Sequence, residues 1–129
     1  MLPSLTTRPG EPGDWPDLRT LYAETFTEEE LLPVVEALLA DDRFGVCSLV
    51  ALSDGKVVGH IAMTPCGVGE TADAAALLGP LGERPDAQGQ GAGSALVRAG
   101  CEAMVDRGFS QVLVLGDPAY YGRFGFRPE

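Results

Sequence analysis

The chain passes from an apolar run, Ala74–Glu83, through "QGQGAGS" at residues 88–94, into a helical pattern from Ala92 onward. A strand, a glycine-rich turn and a helix in that order fix the middle of the fold, because glycine supplies left-handed backbone and close approach that other residues resist. The turn also restricts function. Consecutive amides at a strand-to-helix junction are suited to an anion, above all a phosphate.

Three phosphate-binding arrangements compete for this segment. A Walker loop needs Lys-Ser or Lys-Thr after its last glycine, and here Gly93 is followed by Ser94-Ala95. A dinucleotide fingerprint started at Gly89 closes on Ser94, and started at Gly91 closes on Leu96; neither register fits. Asp117 stands where a ribose-binding acid would sit, but too little chain follows residue 88 for a dinucleotide domain. A strand, a loop of outward-facing amides and a helix N-terminus that hold a pyrophosphate remain, with a plain helix-starting turn as the alternative.

The surrounding pattern is mixed. "SLTTRPG" predicts a short first strand, and Asp14 is a candidate N-cap for a helix from Trp15 to about Phe26 that carries Leu18, Leu21, Tyr22 and Thr25 on one face. Thr27 with Glu30 resembles a capping box for a second helix ending near Asp41, although Pro33 fits badly inside it. "VCSLVALSDGKVVGHIAM" predicts a hairpin turning at Asp54-Gly55. The apolar run after it predicts a fourth strand with a bulge or break at Gly79-Pro80. The helix after the glycines is expected to put Ala92, Ala95, Leu96, Ala99 and Ala103 inward and to stop at Gly108. "FSQVLVLG" predicts a buried fifth strand, and aromatics crowd the tail "DPAYYGRFGFRPE".

Residues 1–129 are expected to form one domain. No apolar run approaches the roughly 20 residues of a membrane span, and no basic-then-apolar leader is present, so a cytoplasmic protein without membrane contact is expected. A net charge of −10, from 19 acidic against 9 basic residues, argues against nucleic acid as a partner. Cys47, Cys66 and Cys101 have neither disulfide nor zinc spacing. No metal is expected.

"LGPLGERPDAQGQGAGSALV" resembles the acetyl-CoA-binding signature of the GCN5-related N-acetyltransferase (GNAT) superfamily, in which a strand ending in Pro-Leu leads into Pro-x-x-Gln/Arg-x-x-Gly-x-Gly/Ala. Gln88, Gly91 and Gly93 occupy the marked positions. "GDPAYYGRFGFRP" is similar to a second signature of the same superfamily, here Tyr121 with Gly125 and Phe126. The resemblance implies an α/β acyl-CoA N-acyltransferase (GNAT) fold, with a mixed, mainly antiparallel sheet flanked by helices. It implies acetyl transfer from acetyl-CoA to a primary amine of a small molecule or peptide. Gln88, Gly89, Gln90, Gly91, Ala92, Gly93 and Ser94 would hold the pyrophosphate. The Leu81-Gly82-Glu83 segment would meet the thioester through the amides of Leu81 and Glu83, beside a splay between strands four and five. Tyr121, with Tyr120 as its substitute, is the candidate acid for the departing thiolate.

Glu83 departs from the apolar residue usual at its place, and its side chain is expected to face solvent. The general base stays open between His60, Glu24, Glu28, Glu29, Glu30 and water, and the lone His60 reads best as a structural or surface residue. Arg84, Arg98 and Arg123 are available to phosphate groups. Superfamily members continue into two more strands after the Gly-Phe segment, so the C-terminal strands are expected to be missing, and either the chain is a truncated form or homo-oligomerisation covers the edge after strand five. A catalytically degenerate acetyl-CoA-binding sensor or partner module is the alternative, and a ligand-free assembly domain a more distant one. Because the dinucleotide spacing fails, NAD is expected not to bind; a saturable micromolar isotherm in calorimetric titration would reverse that ranking.

Overall fold

The computed structural model describes residues 2–25, 46–66, 75–109, 111–114 and 121–126. Five strands form one sheet in sequence order: β1 (Thr6–Pro9), β2 (Cys47–Ser53), β3 (Lys56–Cys66), β4 (Ala75–Glu83) and β5 (Gln111–Val114). The first four are antiparallel and β5 runs parallel to β4. The helix α1 (Trp15–Thr25) covers one face, and α2 (Ala92–Asp106), the crossover from β4 to β5, covers the other. This is the mixed, mainly antiparallel α/β sheet that the resemblance implies.

Strand alternation sorts side chains between the two faces. Val50 and Val57 join Leu18, Leu21 and Tyr22 of α1 in one cluster. Leu49, Ala51, Ile61, Met63, Ala76 and Leu78 pack beneath Leu96, Val97 and Met104 of α2 in the larger one. The hairpin turns where expected, with φ of 50° at Asp54 and 80° at Gly55, the left-handed pair that follows the twist of the strands. Opposite the single residue Ala62 of β3, β4 carries both Gly79 and Pro80, the expected bulge.

Helix α2 ends as a Schellman motif: Phe109 N–H donates to Met104 O at 2.9 Å, Gly108 N–H donates to Val105 O at 3.0 Å, and Gly108 takes φ 90°. Its inner face is rotated from the expected one. Gly93, Val97, Gly100 and Met104 are buried with Ala92 and Leu96, whereas Ala95, Ala99 and Ala103 are only half-buried. Close approach explains the difference, because a Cβ placed on Gly100 would lie 3.1 Å from Met63 Sδ.

Two further expectations are corrected. Asp14 ends a short 3-10 turn, Pro12–Asp14, that runs straight into α1. Its carboxylate turns backward, accepting from Glu11 N–H at 2.8 Å and pairing with Arg8 at 2.7 Å, instead of capping α1. Strand β5 is not buried: Val112 and Val114 are half-buried and Gln111 and Leu113 exposed, since among the described residues only β4 flanks it. The second helix expected before Asp41 lies outside the described residues.

His60 settles on the α1 face, where no part of its side chain reaches solvent. Its Nδ1 is hydrogen-bonded to the Tyr22 hydroxyl at 2.6 Å and its Nε2 to Ser48 Oγ at 2.8 Å. A neutral imidazole donates through one nitrogen and accepts through the other, so the two contacts suit the uncharged ring. Burial presses its pKa down to about 4, opposed by the charge of Asp14. The unfolded chain takes up this proton near pH 6.5, so it binds more protons than the folded chain between that pH and about 4, and stability falls as the pH is lowered through this window. Asp14, held below the usual carboxylate range by Arg8, loses its contribution only at lower pH. The expected loss from His60 between pH 7 and pH 5.5 is about 1 kcal/mol, measured from urea midpoints, and His60→Gln should remove that slope.

Candidate active site

The loop from β4 to α2 is shaped by its own backbone. Pro85–Ala87 form a 3-10 turn, with Ala87 N–H donating to Arg84 O at 2.8 Å and the Ala87 methyl buried in the α2-side core. The Gln90 side-chain amide donates to Asp86 O at 2.9 Å and closes the turn over itself. Gly89 has φ 77° and Gly91 φ 100°, so the chain reverses twice through left-handed backbone. Ordinary side chains resist both positions.

Gly91 is the N-cap of α2 and brings no side chain to satisfy the helix. Its carbonyl accepts the first helical bond, from Ala95 N–H at 3.0 Å, which leaves the amides of Ala92, Gly93 and Ser94 without intrahelical acceptors. The helix dipole adds partial positive charge at the same point, favouring an anion by about 0.3–2 kcal/mol. Side-chain charge reinforces it. Arg123 Nη2 donates to Ser94 Oγ at 3.2 Å, and the guanidiniums of Arg98 and Arg123 lie 5.5 and 5.3 Å from the centre of the Phe124 ring.

That contact brings the tail to the loop. Tyr121 directly precedes the 3-10 turn Gly122–Phe124, is half-buried against the α2-side core, and meets Phe126 edge to face at 5.8 Å. Burial pushes its phenol up from the ordinary range. Tyr120 lies outside the described residues, as do Glu28, Glu29, Glu30 and Asp117.

Beyond Leu78, β4 has no β5 partner among the described residues, since the parallel pairing covers only Ala75–Leu78 against Gln111–Val114. On the other edge the pairing with β3 continues, and Arg84 N–H donates to Val58 O at 2.8 Å. Successive strand amides point to opposite edges. Gly82 therefore faces β3 like Arg84, and the amides of Leu81 and Glu83 face the open side. Leu81 packs toward α2; Glu83, opposite Gly59 in the register, is half-buried on that same face and does not stand clear in solvent.

Sequence reasoning did not find the Tyr22–His60–Ser48 network. Tyr22 read as one member of a helix stripe, and nothing local ties it to a histidine 38 residues away. With both ring nitrogens engaged and no exposure, His60 is a structural residue. Glu24, the described member of the glutamate group, lies with Oε2 4.0 Å from Arg84 Nε, and Asp86 Oδ1 lies 3.7 Å from the same atom. Among the described residues no three His, Cys, Asp or Glu side chains are placed to hold a metal ion, and no helix is long and apolar enough to cross a membrane.

Residues 15–126 match the acetyltransferase (GNAT) family. The chain is 36% identical over 118 residues to the uncharacterised N-acetyltransferase YjhQ of Escherichia coli K12, covering 89% of this chain and 65% of that protein, so it spans a little under two thirds of the relative's length. A GNAT acetyltransferase from Brucella melitensis, solved in complex with acetyl-CoA, superposes with a TM-score of 0.86 at 33% identity, over 96% of this chain and 83% of that one. YhbS of E. coli, solved in complex with CoA, gives 0.87 at 33% identity, over 98% and 70%. The β4–β5 pairing that ends at Leu78 among the described residues, the uncapped helix start at Gly91 and these relatives agree, and the chain belongs to the GNAT family of acetyltransferases.

Proposed function

We propose that residues 1–129 act as one N-acetyltransferase domain that moves the acetyl group of acetyl-CoA to a primary amine. The observation that carries this reading is the uncapped start of α2 behind Gly91, one loop away from β4 amides that point away from β3, toward an edge with no strand partner among the described residues. The amides of residues 88–94 offer the pyrophosphate direct donors, and Arg98 and Arg123 add two positive charges to a chain of net charge −10. The Brucella relative and YhbS, whose structures hold acetyl-CoA and CoA, support the same ligand here.

Acetyl-CoA supplies an acetyl group joined to sulfur, activated toward an amine nitrogen. The Leu81 and Glu83 amides have the right sense to donate to the oxygen on which negative charge develops, each such donor being worth about 3 kcal/mol when water is excluded. Tyr121 serves as the acid that returns a proton to the departing sulfur. Its raised pKa keeps the phenol protonated and ready to donate, although transfer to a thiolate of ordinary basicity is then uphill. With His60 sealed in the core, the proton of the amine leaves through water or an acidic side chain near the end of α1, where Glu24 stands. The excess of acidic residues favours a cationic acceptor, such as a polyamine or a basic peptide.

Calorimetry with acetyl-CoA, followed by thiol release over a panel of amines, tests the reading. Binding without turnover on any amine would favour the sensor alternative. Gly91→Val puts a β-branched residue at φ 100° and should abolish acetyl-CoA binding in a protein that still folds; unchanged affinity would remove the loop from the site. Tyr121→Phe keeps the ring that packs on Phe126 and should retain cofactor affinity while kcat drops at least about tenfold. Full activity in that variant would pass the proton transfer to Tyr120 or to water.

A further inference from the structure

Gly82 sits between the two amides that face the open edge of β4, and the space a side chain would take there is already filled. A Cβ built on Gly82 would lie 2.9 Å from Leu21 Cδ2 and 3.1 Å from Tyr22 Cε1. Both α1 residues are about 1% exposed, so neither can swing into solvent to make room. The Tyr22 ring is further tethered at its far end, where the hydroxyl is hydrogen-bonded to His60 Nδ1 and the two rings meet edge to face at 5.6 Å. His60 is the register partner of Gly82 across β3 and β4, and its second nitrogen is bonded to Ser48 on β2. One helix and three strands are thus joined at the residue that separates Leu81 from Glu83.

We propose that Tyr22 is a positioning residue for acetyl transfer: its ring, anchored through His60, braces β4 at Gly82 and so sets the direction of the Leu81 and Glu83 amides. The inference rests on the role given above to those amides. The brace matters here because β4 has no β5 partner from Gly79 to Glu83 among the described residues. Among the described residues, support for this stretch therefore comes from β3 at one edge, from the α2-side core at Leu81 and from α1 at Gly82. Tyr22 acts through the backbone and does not enter the acceptor or cofactor chemistry itself. An amide displaced by a fraction of an ångström still permits the pyrophosphate to bind at the helix start, but it weakens the bond made as charge develops on the thioester oxygen.

The test uses the whole chain with acetyl-CoA labelled with carbon-13 at the thioester carbonyl. Infrared spectra of the bound cofactor report hydrogen bonding to that oxygen whether or not turnover occurs. In the wild-type protein the carbonyl band is expected below its position in free acetyl-CoA. Tyr22→Leu, which removes the ring, and Gly82→Ala, which pushes against it, should return the band toward the free value and lower kcat about tenfold or more, with KM and calorimetric affinity for acetyl-CoA within about threefold. Tyr22→Phe keeps the ring and should lose less than Tyr22→Leu. Unaltered band position and kcat in both Gly82→Ala and Tyr22→Phe, with only the melting temperature lowered, would reduce Tyr22 to a core residue and overturn the proposal. Wild-type protein that binds acetyl-CoA without any band shift would overturn it together with the role of the amides, whereas absence of binding would remove the cofactor reading beneath both.

Discussion

Strand β4 is paired with β3 to its last residue and, among the described residues, with β5 over only its first four, Ala75–Leu78. That asymmetry governs the rest of the molecule. A sheet that stayed closed would use the Leu81 and Glu83 amides in its own ladder, where they would be unavailable to a ligand. In the proposed reaction these two amides serve the thioester, so the segment that carries them relies on neighbours other than β5, and among the described residues β3, α1 and the α2-side core supply them. The bulge at Gly79-Pro80 lies just past the last paired residue, and Gly82 lets α1 press directly against the strand. The loop leaving β4 is then short enough to deliver the start of α2 to the same open edge.

Electrostatics at this edge are local. The chain carries net charge −10, a field that opposes a phosphorylated ligand at long range. Salt reduces that field over a Debye length of about 8 Å at physiological ionic strength. Inside that distance the dipole of α2, the unpaired amides after Gly91 and the guanidiniums of Arg98 and Arg123 dominate. The Arg123–Ser94 bond is exposed and contributes little to stability. Its consequence is positional, since it keeps the tail carrying Tyr121 beside the helix start.

What the sequence revealed follows from how local each signal is. The Asp54-Gly55 turn, the Gly79-Pro80 bulge, the left-handed glycines of the loop and the stop at Gly108 are all dictated by a few adjacent residues, and each was legible. So was the function class, because two short motifs carried it. The inner face of α2 was misplaced because alanine is compatible with either side of a helix; the packing of Met63 against Gly100 decides the matter. Strand β5 read as buried because apolar content does not say how many neighbours a strand has. Asp14 was given to α1 because nothing near it reveals that Arg8 competes for its carboxylate. The Tyr22–His60–Ser48 network needs a helix and two strands assembled before any of its bonds exists.

The role proposed for Glu83 belongs to its backbone and not to its side chain. In a strand the amide lies in the plane of the sheet while the side chain projects from it, so the Glu83 N–H keeps its direction whatever stands on Cα. The carboxylate still acts through space. Like unit charges about 4 Å apart repel by about 4 kcal/mol at an effective dielectric of 20 and by about 1 kcal/mol in water, and by less at longer range. The first figure would cancel a whole oxyanion donor, and the second would barely slow the reaction. Glu83 is half-buried on the α2 face, between these limits. In the proposed reaction, solvent access to the Glu83 carboxylate sets how strongly it opposes the developing charge, with the same backbone geometry throughout.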